Sequence, residues 1–142
     1  MDPPARSARD VKDPNDRAIA RVLLIEDDAD AAEALIDFLR EEACIEAAWA
    51  RSGREAMDLA RDGGFAAALI DLSLPDMDGA DLAIFLRGRL PGARLAAVTG
   101  ASRVALDSRI LGLVDRVFQK PADPEALLAF ARAAVHGGRP IG

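Results

Sequence analysis

Short apolar runs that alternate with stretches of helical spacing constrain this chain more than any other feature. Residues 22–25, 44–50, 65–70, 94–98 and 115–119 have strand length and are bounded by breakers or charges. The segments between them place apolar residues three and four apart. In residues 30–42, Ala31, Leu35, Phe38 and Leu39 share one face, and Asp28 or Asp30 is placed to cap it. Ser52-Gly53-Arg54-Glu55 has the form of a capping box and opens a helix to about Asp62, which Gly63-Gly64 ends. Residues 79–89 turn Leu82, Phe85 and Leu86 inward. Ser102 to about Leu111 is a weaker helix stopped by Gly112. Asp123-Pro124-Glu125 caps a last helix to about His136. Strands alternating with helices predict an α/β domain, its parallel sheet covered on both faces and its crossovers right-handed.

The run 65–79, FAAALIDLSLPDMDG, shows where the chemistry lies. It climbs without charge to one carboxylate, Asp71, and then breaks into a Pro-Asp-Gly turn. In a parallel sheet the C-terminal strand ends share one edge, and ligands bind there. That edge would collect Glu26 and Asp27, then Asp71, then Thr99, then Lys120. Carboxylates crowded there repel, by about 4 kcal/mol per pair at about 4 Å in a dielectric near 20. Protonation relieves this; so does a divalent cation with Lys120 nearby. Hard oxygen donors in a small acidic cup suit Mg²⁺. A metal and an ammonium beside one free carboxylate prepare that carboxylate to attack a phosphoryl group.

Composition narrows the function classes. The 142 residues, 51% hydrophobic, suffice for one domain with a core. The net charge is 18 − 24 = −6, and residues 1–20 hold four acids and four bases, so the excess belongs to the rest. An acidic domain without a basic cluster is a poor nucleic-acid or anionic-membrane binder, so neither is expected as a partner. One cysteine, Cys44, excludes an internal disulfide. With no signal peptide and no apolar span of about 18 residues, a cytoplasmic location is expected. Residues 1–20, with Pro3, Pro4 and Pro14, read as a flexible tail, or alternatively a docking segment. Residues 21–136 read as the folded domain, and residues 137–142 as a short C-terminal tail.

With these residues in place the chain resembles the receiver domain of bacterial two-component response regulators. The matching stretches are VLLIEDD at 22–28, ARSGREA at 50–56, LIDLSLPDMDG at 69–79, Val98-Thr99 and FQKP at 118–121, in family order. The resemblance implies a doubly wound (βα)5 flavodoxin-like sheet with strand order 2-1-3-4-5. It implies that Asp71 is the phosphoacceptor, and that Glu26, Asp27, Asp71 and the backbone carbonyl of Ser73 hold Mg²⁺. Thr99 would be the switch hydroxyl, and Lys120 would pair with a phosphoryl oxygen. The Lys120–Pro121 bond would be cis. The implied partners are a sensor histidine kinase or histidine phosphotransfer protein and a downstream protein target. A homodimer is a further option. The implied protein is a single-domain response regulator, a switch with at most slow self-phosphorylation and self-dephosphorylation. Of 18 basic residues only Lys12 and Lys120 are lysines, so a compact ammonium is kept at this position in a chain that otherwise uses Arg.

Blander readings stand beside these. Glu26, Asp27 and Asp28 also suit a solvated helix cap, and a one-residue slip would select Asp27 and Asp28 as the metal acids. Asp71 alone would serve as a turn residue, Thr99 as a β-branched strand residue and Lys120 as a surface lysine. Asp76 and Asp78 read as turn and cap residues, His136 as a partner of a helix dipole, and Cys44 and Trp49 as packing residues. The sequence also departs from the family pattern. Val117 stands where an aromatic switch residue is common, and Phe118 beside it should face the other way. Ala122 stands where an aromatic often follows Lys-Pro, Gly100 follows the switch hydroxyl, and Leu113-Val114 replaces a common Gly-Ala. Two rivals follow: a pseudo-receiver binding module regulated without phosphorylation, and a small metal hydrolase. The second lacks an acid two residues after Asp71, where Ser73 stands.

Overall fold

The computed structural model describes residues 21–100 and 106–137 of the chain. The expected N-terminal tail, residues 138–142, and residues 101–105, where the spacing predicts the start of the fourth helix, lie outside the described residues. Five strands form one parallel sheet: β1 (Arg21–Ile25), β2 (Glu46–Ala50), β3 (Ala67–Asp71), β4 (Arg94–Thr99) and β5 (Arg116–Gln119). Their order is β2-β1-β3-β4-β5, the doubly wound order expected. The helices between them are α1 (Ala29–Ala43), α2 (Gly53–Ala60), α3 (Gly79–Arg89), α4 (Ser108–Leu113) and α5 (Pro124–Gly137).

β3 lies in the middle of the sheet, and all of its residues are buried. Its neighbours feed two cores through alternate residues. Leu23, Ile25, Ala68, Ile70 and Leu95 pack with α2 and α3 on one face. Val22, Leu24, Ala67, Leu69 and Ala96 pack with α1 and α5 on the other. Burial on both faces is why these strands read as unbroken apolar runs. Val117 joins the first core and Phe118 the second, where it meets Phe130 edge-on at 5.9 Å. The two side chains therefore face opposite ways, as their adjacency on a strand requires.

Several helix ends match the sequence and several move. Asp28, not Asp30, caps α1: its carboxylate accepts from the backbone N–H of Asp30 (3.0 Å) and Ala31 (3.3 Å). The Ser52 hydroxyl accepts from Glu55 N–H (3.1 Å), but Glu55 reaches back to Arg51 N–H (2.8 Å) instead of to Ser52. α2 stops at Ala60, before the expected Asp62, and Gly63 and Gly64 turn the chain with φ of 70° and 88°. Cys44 is neither a strand residue nor a packing residue. It ends α1 in the left-handed region (φ 55°), is exposed, and donates its N–H to the Arg40 carbonyl (3.0 Å), so β2 starts only at Glu46. α4 begins at Ser108, where Asp107 accepts from Arg109 N–H (2.9 Å), and it runs through Gly112 to Leu113. One exposed glycine costs a helix only about 1 kcal/mol, too little to stop it there. α5 includes Gly137, which the sequence assigns to the tail, and His136 lies in its last turn. The Lys120–Pro121 bond is cis.

Candidate functional site

The strand ends bring the expected residues to one edge. Glu26 and Asp27 follow β1, Asp71 ends β3, Thr99 ends β4 and Lys120 follows β5. Ile25 pairs with Ile70, Asp71 with Val98 and Thr99 with Gln119. The Lys120 N–H then donates to the Thr99 carbonyl at 2.7 Å, which carries the ladder one step past the strand.

Carboxylate oxygens of Glu26, Asp27 and Asp71 lie within 4.8 Å of one another. Asp71 is only 2% exposed. Its Oδ1 accepts from the Ser73 backbone N–H (2.9 Å) and hydroxyl (2.7 Å), and its Oδ2 accepts from Lys120 Nζ (3.1 Å). A buried carboxylate with donors on both oxygens stays ionised and held in direction. Thr99 is buried on the next strand, one residue past the register partner of Asp71. Of the candidate metal acids, Glu26 and Asp27 converge on Asp71, whereas Asp28 is taken up in capping α1. Asp28 N–H also donates to Glu26 Oε2 at 3.1 Å, so the cap and the metal acid share one loop.

The electrostatics follow from this crowding. Burial pushes Glu26 up to about 7; the Asp28 N–H opposes that, and hydrogen bonding to the charged Asp71 adds to it. For Asp71 burial also acts upward. The Ser73 N–H and hydroxyl, Glu26 and Lys120 outweigh it and hold Asp71 below the usual aspartate value. Burial works against the charge on Lys120, but Asp71, Glu26 and Asp27 raise it above an ordinary lysine. One site thus holds an ionised acid, a second acid ready to keep a proton, and a firmly charged ammonium. Three carboxylates without nitrogen or sulfur donors match a small hard divalent cation.

Beside the acids lies a cleft of about 940 Å³, lined by Ala31, Leu35 and Phe38 of α1, Leu127 of α5, Leu24 and Leu69 of the sheet, and by Ala122, Asp71 and Lys120. Arg132 Nη2 donates to the Glu42 carbonyl (3.2 Å) and ties the C-terminal ends of α1 and α5 together. Towards the other ends of these helices the cleft is lined by the short side chain of Ala122.

A family model described as the response regulator receiver domain matches residues 22–132. The chain belongs to this family. A response regulator receiver protein of Anaeromyxobacter sp. (strain Fw109-5) is 42% identical to this receiver over 79 residues, 56% of this chain and 33% of that protein. The chain thus spans about a third of the length of that curated relative. The crystal structure of a CheY-like receiver domain protein from Methanospirillum hungatei JF-1 has a TM-score of 0.77 at 26% identity, covering 84% of this chain and 95% of that one. A response regulator from Burkholderia pseudomallei, crystallised with a phosphorylated aspartic acid, a calcium ion and citrate, has a TM-score of 0.72 at 27% identity, covering 82% and 69%. Receivers are the signalling switches of two-component systems. Among the described residues of this one, no helix is long and apolar enough to cross a membrane.

Two contacts at the receiver edge escape the sequence. Asp76 is more than a turn residue: its carboxylate accepts from the N–H groups of Gly53 (2.9 Å) and Arg54 (3.0 Å) and so fastens the loop after β3 to the start of α2. Those backbone bonds hold Asp76 below the usual aspartate value. A Cβ at Gly53 would overlap the Met77 side chain, which would have to move to admit one. Trp49 is more than packing: its indole N–H donates to the Glu26 carbonyl at 2.8 Å. Both contacts join residues far apart in sequence, and no local pattern announces them. Asp78 behaves as expected, capping α3 through Ala80 N–H (3.2 Å).

Proposed function

We propose that this chain is a phospho-accepting receiver. Asp71 takes a phosphoryl group from the phosphohistidine of a sensor histidine kinase or a phosphotransfer protein, and a protein-binding surface responds. The observation that carries this reading is one nearly fully buried carboxylate set among two further acids and an ammonium. A carboxylate oxygen of Asp71 attacks phosphorus. The new P–O bond forms as the P–N bond breaks, and the leaving imidazole nitrogen keeps the electron pair. Lys120, 3.1 Å from Asp71 Oδ2, is placed to pair with a non-bridging phosphoryl oxygen. Glu26, Asp27, Asp71 and the backbone carbonyl of Ser73 would hold Mg²⁺, which when bound supplies positive charge against both the crowded acids and the transferring oxygens. The Burkholderia neighbour, crystallised with a phosphorylated aspartic acid and a calcium ion, supports aspartyl phosphorylation and a divalent cation for this chain.

Phosphorylation replaces a carboxylate with a group of greater charge and more acceptor oxygens. Thr99 reorganises towards it, and the surface of α4, β5 and α5 shifts between two arrangements. The protein works in the cytoplasm through residues 21–136, on protein partners, and turns over its own phosphoryl group only slowly. Incubation with acetyl phosphate and Mg²⁺ should add one phosphoryl group per chain, and EDTA or Asp71→Ala should abolish it. Val117 at the usual aromatic position favours the pseudo-receiver as a second reading. Folded wild-type protein that stays unlabelled would decide for it, whereas sustained hydrolysis of several phosphate esters would decide for a hydrolase.

A further inference from the structure

We infer that Trp49 is a positioning residue for the metal-binding acids, its indole N–H fixing the peptide plane that joins Glu26 to Asp27. This rests on the receiver reading and adds to it a residue outside the acidic cluster. The indole Nε1–H donates to the Glu26 carbonyl at 2.8 Å. That carbonyl and the N–H of Asp27 belong to one planar unit. The ring therefore sets the direction in which the chain leaves Glu26, and with it the position of the Asp27 carboxylate. The preceding plane is held as well, because Glu26 N–H donates to the Ala50 carbonyl at 3.0 Å. Both backbone dihedrals of Glu26 are thus defined by the end of β2, the strand beside β1.

The ring is itself held. One part of it packs against the α1–α5 core, and the Arg51 guanidinium lies 4.4 Å from its centre. β2 reads EAAWA, so Trp49 is its single large side chain. Packing at an edge strand could be met by Leu or Phe. Neither donates a hydrogen bond, and the bond made here goes to the residue that opens the acidic loop. The bond is only part-buried, so without the indole water would reach that carbonyl and folding would lose little. Metal binding would lose more, because ligands left to wander must be ordered when the cation arrives.

Trp49→Phe keeps an aromatic ring and removes the donor. Isothermal titration of Mg²⁺ should show a dissociation constant raised about fivefold, the range expected for one lost hydrogen bond. The metal-free Tm should stay within about 3 °C of wild type. In wild-type protein the indole N–H resonance should move on Mg²⁺ titration and saturate at the calorimetric dissociation constant. That signal decides the matter if the variant does not fold. An unchanged Mg²⁺ affinity in folded Trp49→Phe, or an indole resonance indifferent to bound Mg²⁺, overturns the inference and leaves the receiver reading standing. Wild-type protein that binds no Mg²⁺ overturns both.

Discussion

The ends of β1 and β3 and the region of β4, α4 and β5 lie on the same sheet but are built differently. Around Asp71, side chains and backbone are tied in several directions: Ser73 and Lys120 to its two oxygens, Trp49 to the Glu26 carbonyl, Asp76 to the start of α2. On the other side the residues at the edge are small. Val117 is half-buried where a ring is common, and Ala122, just past β5, lines the cleft that reaches back to α1 and Asp71. At the far end of that side Arg87 donates to the carbonyls of Ala93 (2.8 Å) and Leu113 (3.0 Å) and to the Asp115 carboxylate (3.2 Å), and at the near end Arg109 of α4 donates to the carboxylates of Asp78 (3.1 Å) and Asp107 (2.8 Å). Phosphoryl chemistry needs charged groups held to tenths of an ångström. A readout surface needs only two arrangements close in free energy. The difference in construction fits that division of labour.

The sharpest way to break the comparison is Asp71→Asn. It removes the nucleophile and keeps the shape, so labelling by acetyl phosphate should fall to zero while circular dichroism is unchanged. Persistent labelling would move the chemistry elsewhere. The next effect is pH. Glu26 is raised from 4.5 to about 7, so the folded, metal-free protein binds its proton more tightly than the unfolded chain. The stability gained from protonated Glu26 is complete below the lower value and is lost as pH rises through about 7. Mg²⁺ must displace that proton. Its dissociation constant should therefore rise below neutrality, approaching about tenfold per pH unit, with a proton released on binding. Calorimetry in buffers of different ionisation enthalpy measures both.

Two smaller changes test whether small residues at and after β5 can be altered without touching the chemistry. Ala122→Phe puts a ring at the cleft and should raise the unfolding free energy by about 1 kcal/mol, with acetyl phosphate labelling unaltered. Loss of small-donor labelling would show that the cleft serves the chemistry itself. Val117→Tyr should leave the labelling rate within about twofold and stability within about 0.5 kcal/mol. A large change in either would mean that the two regions are not separable.

Much of this was legible in the sequence because the fold converts order into proximity. Alternating runs fix a parallel sheet, and a parallel sheet places Glu26, Asp27, Asp71, Thr99 and Lys120 at one edge whatever the details of the helices. What escaped has several physical origins. Cys44 departs from the expectation because backbone closure at the end of α1 overrides the preference of a single position, and Gly112 because one exposed glycine costs too little to stop α4. Trp49 and Asp76 act through bonds from side chain to distant backbone, which leave no periodicity to read. The choice between Asp27–Asp28 and Glu26–Asp27 as the converging acids also needed coordinates, since only the cap geometry shows Asp28 engaged by Asp30 and Ala31.

The central claim is that Asp71 carries the phosphoryl group as an acyl phosphate. Borohydride reduces such a linkage and leaves homoserine in place of aspartate. Protein treated with acetyl phosphate and Mg²⁺, reduced, digested and analysed by peptide mass spectrometry should yield homoserine at position 71 and at no other aspartate. Homoserine at another position, or an intact Asp71 in protein that has gained a phosphoryl group, would contradict the account.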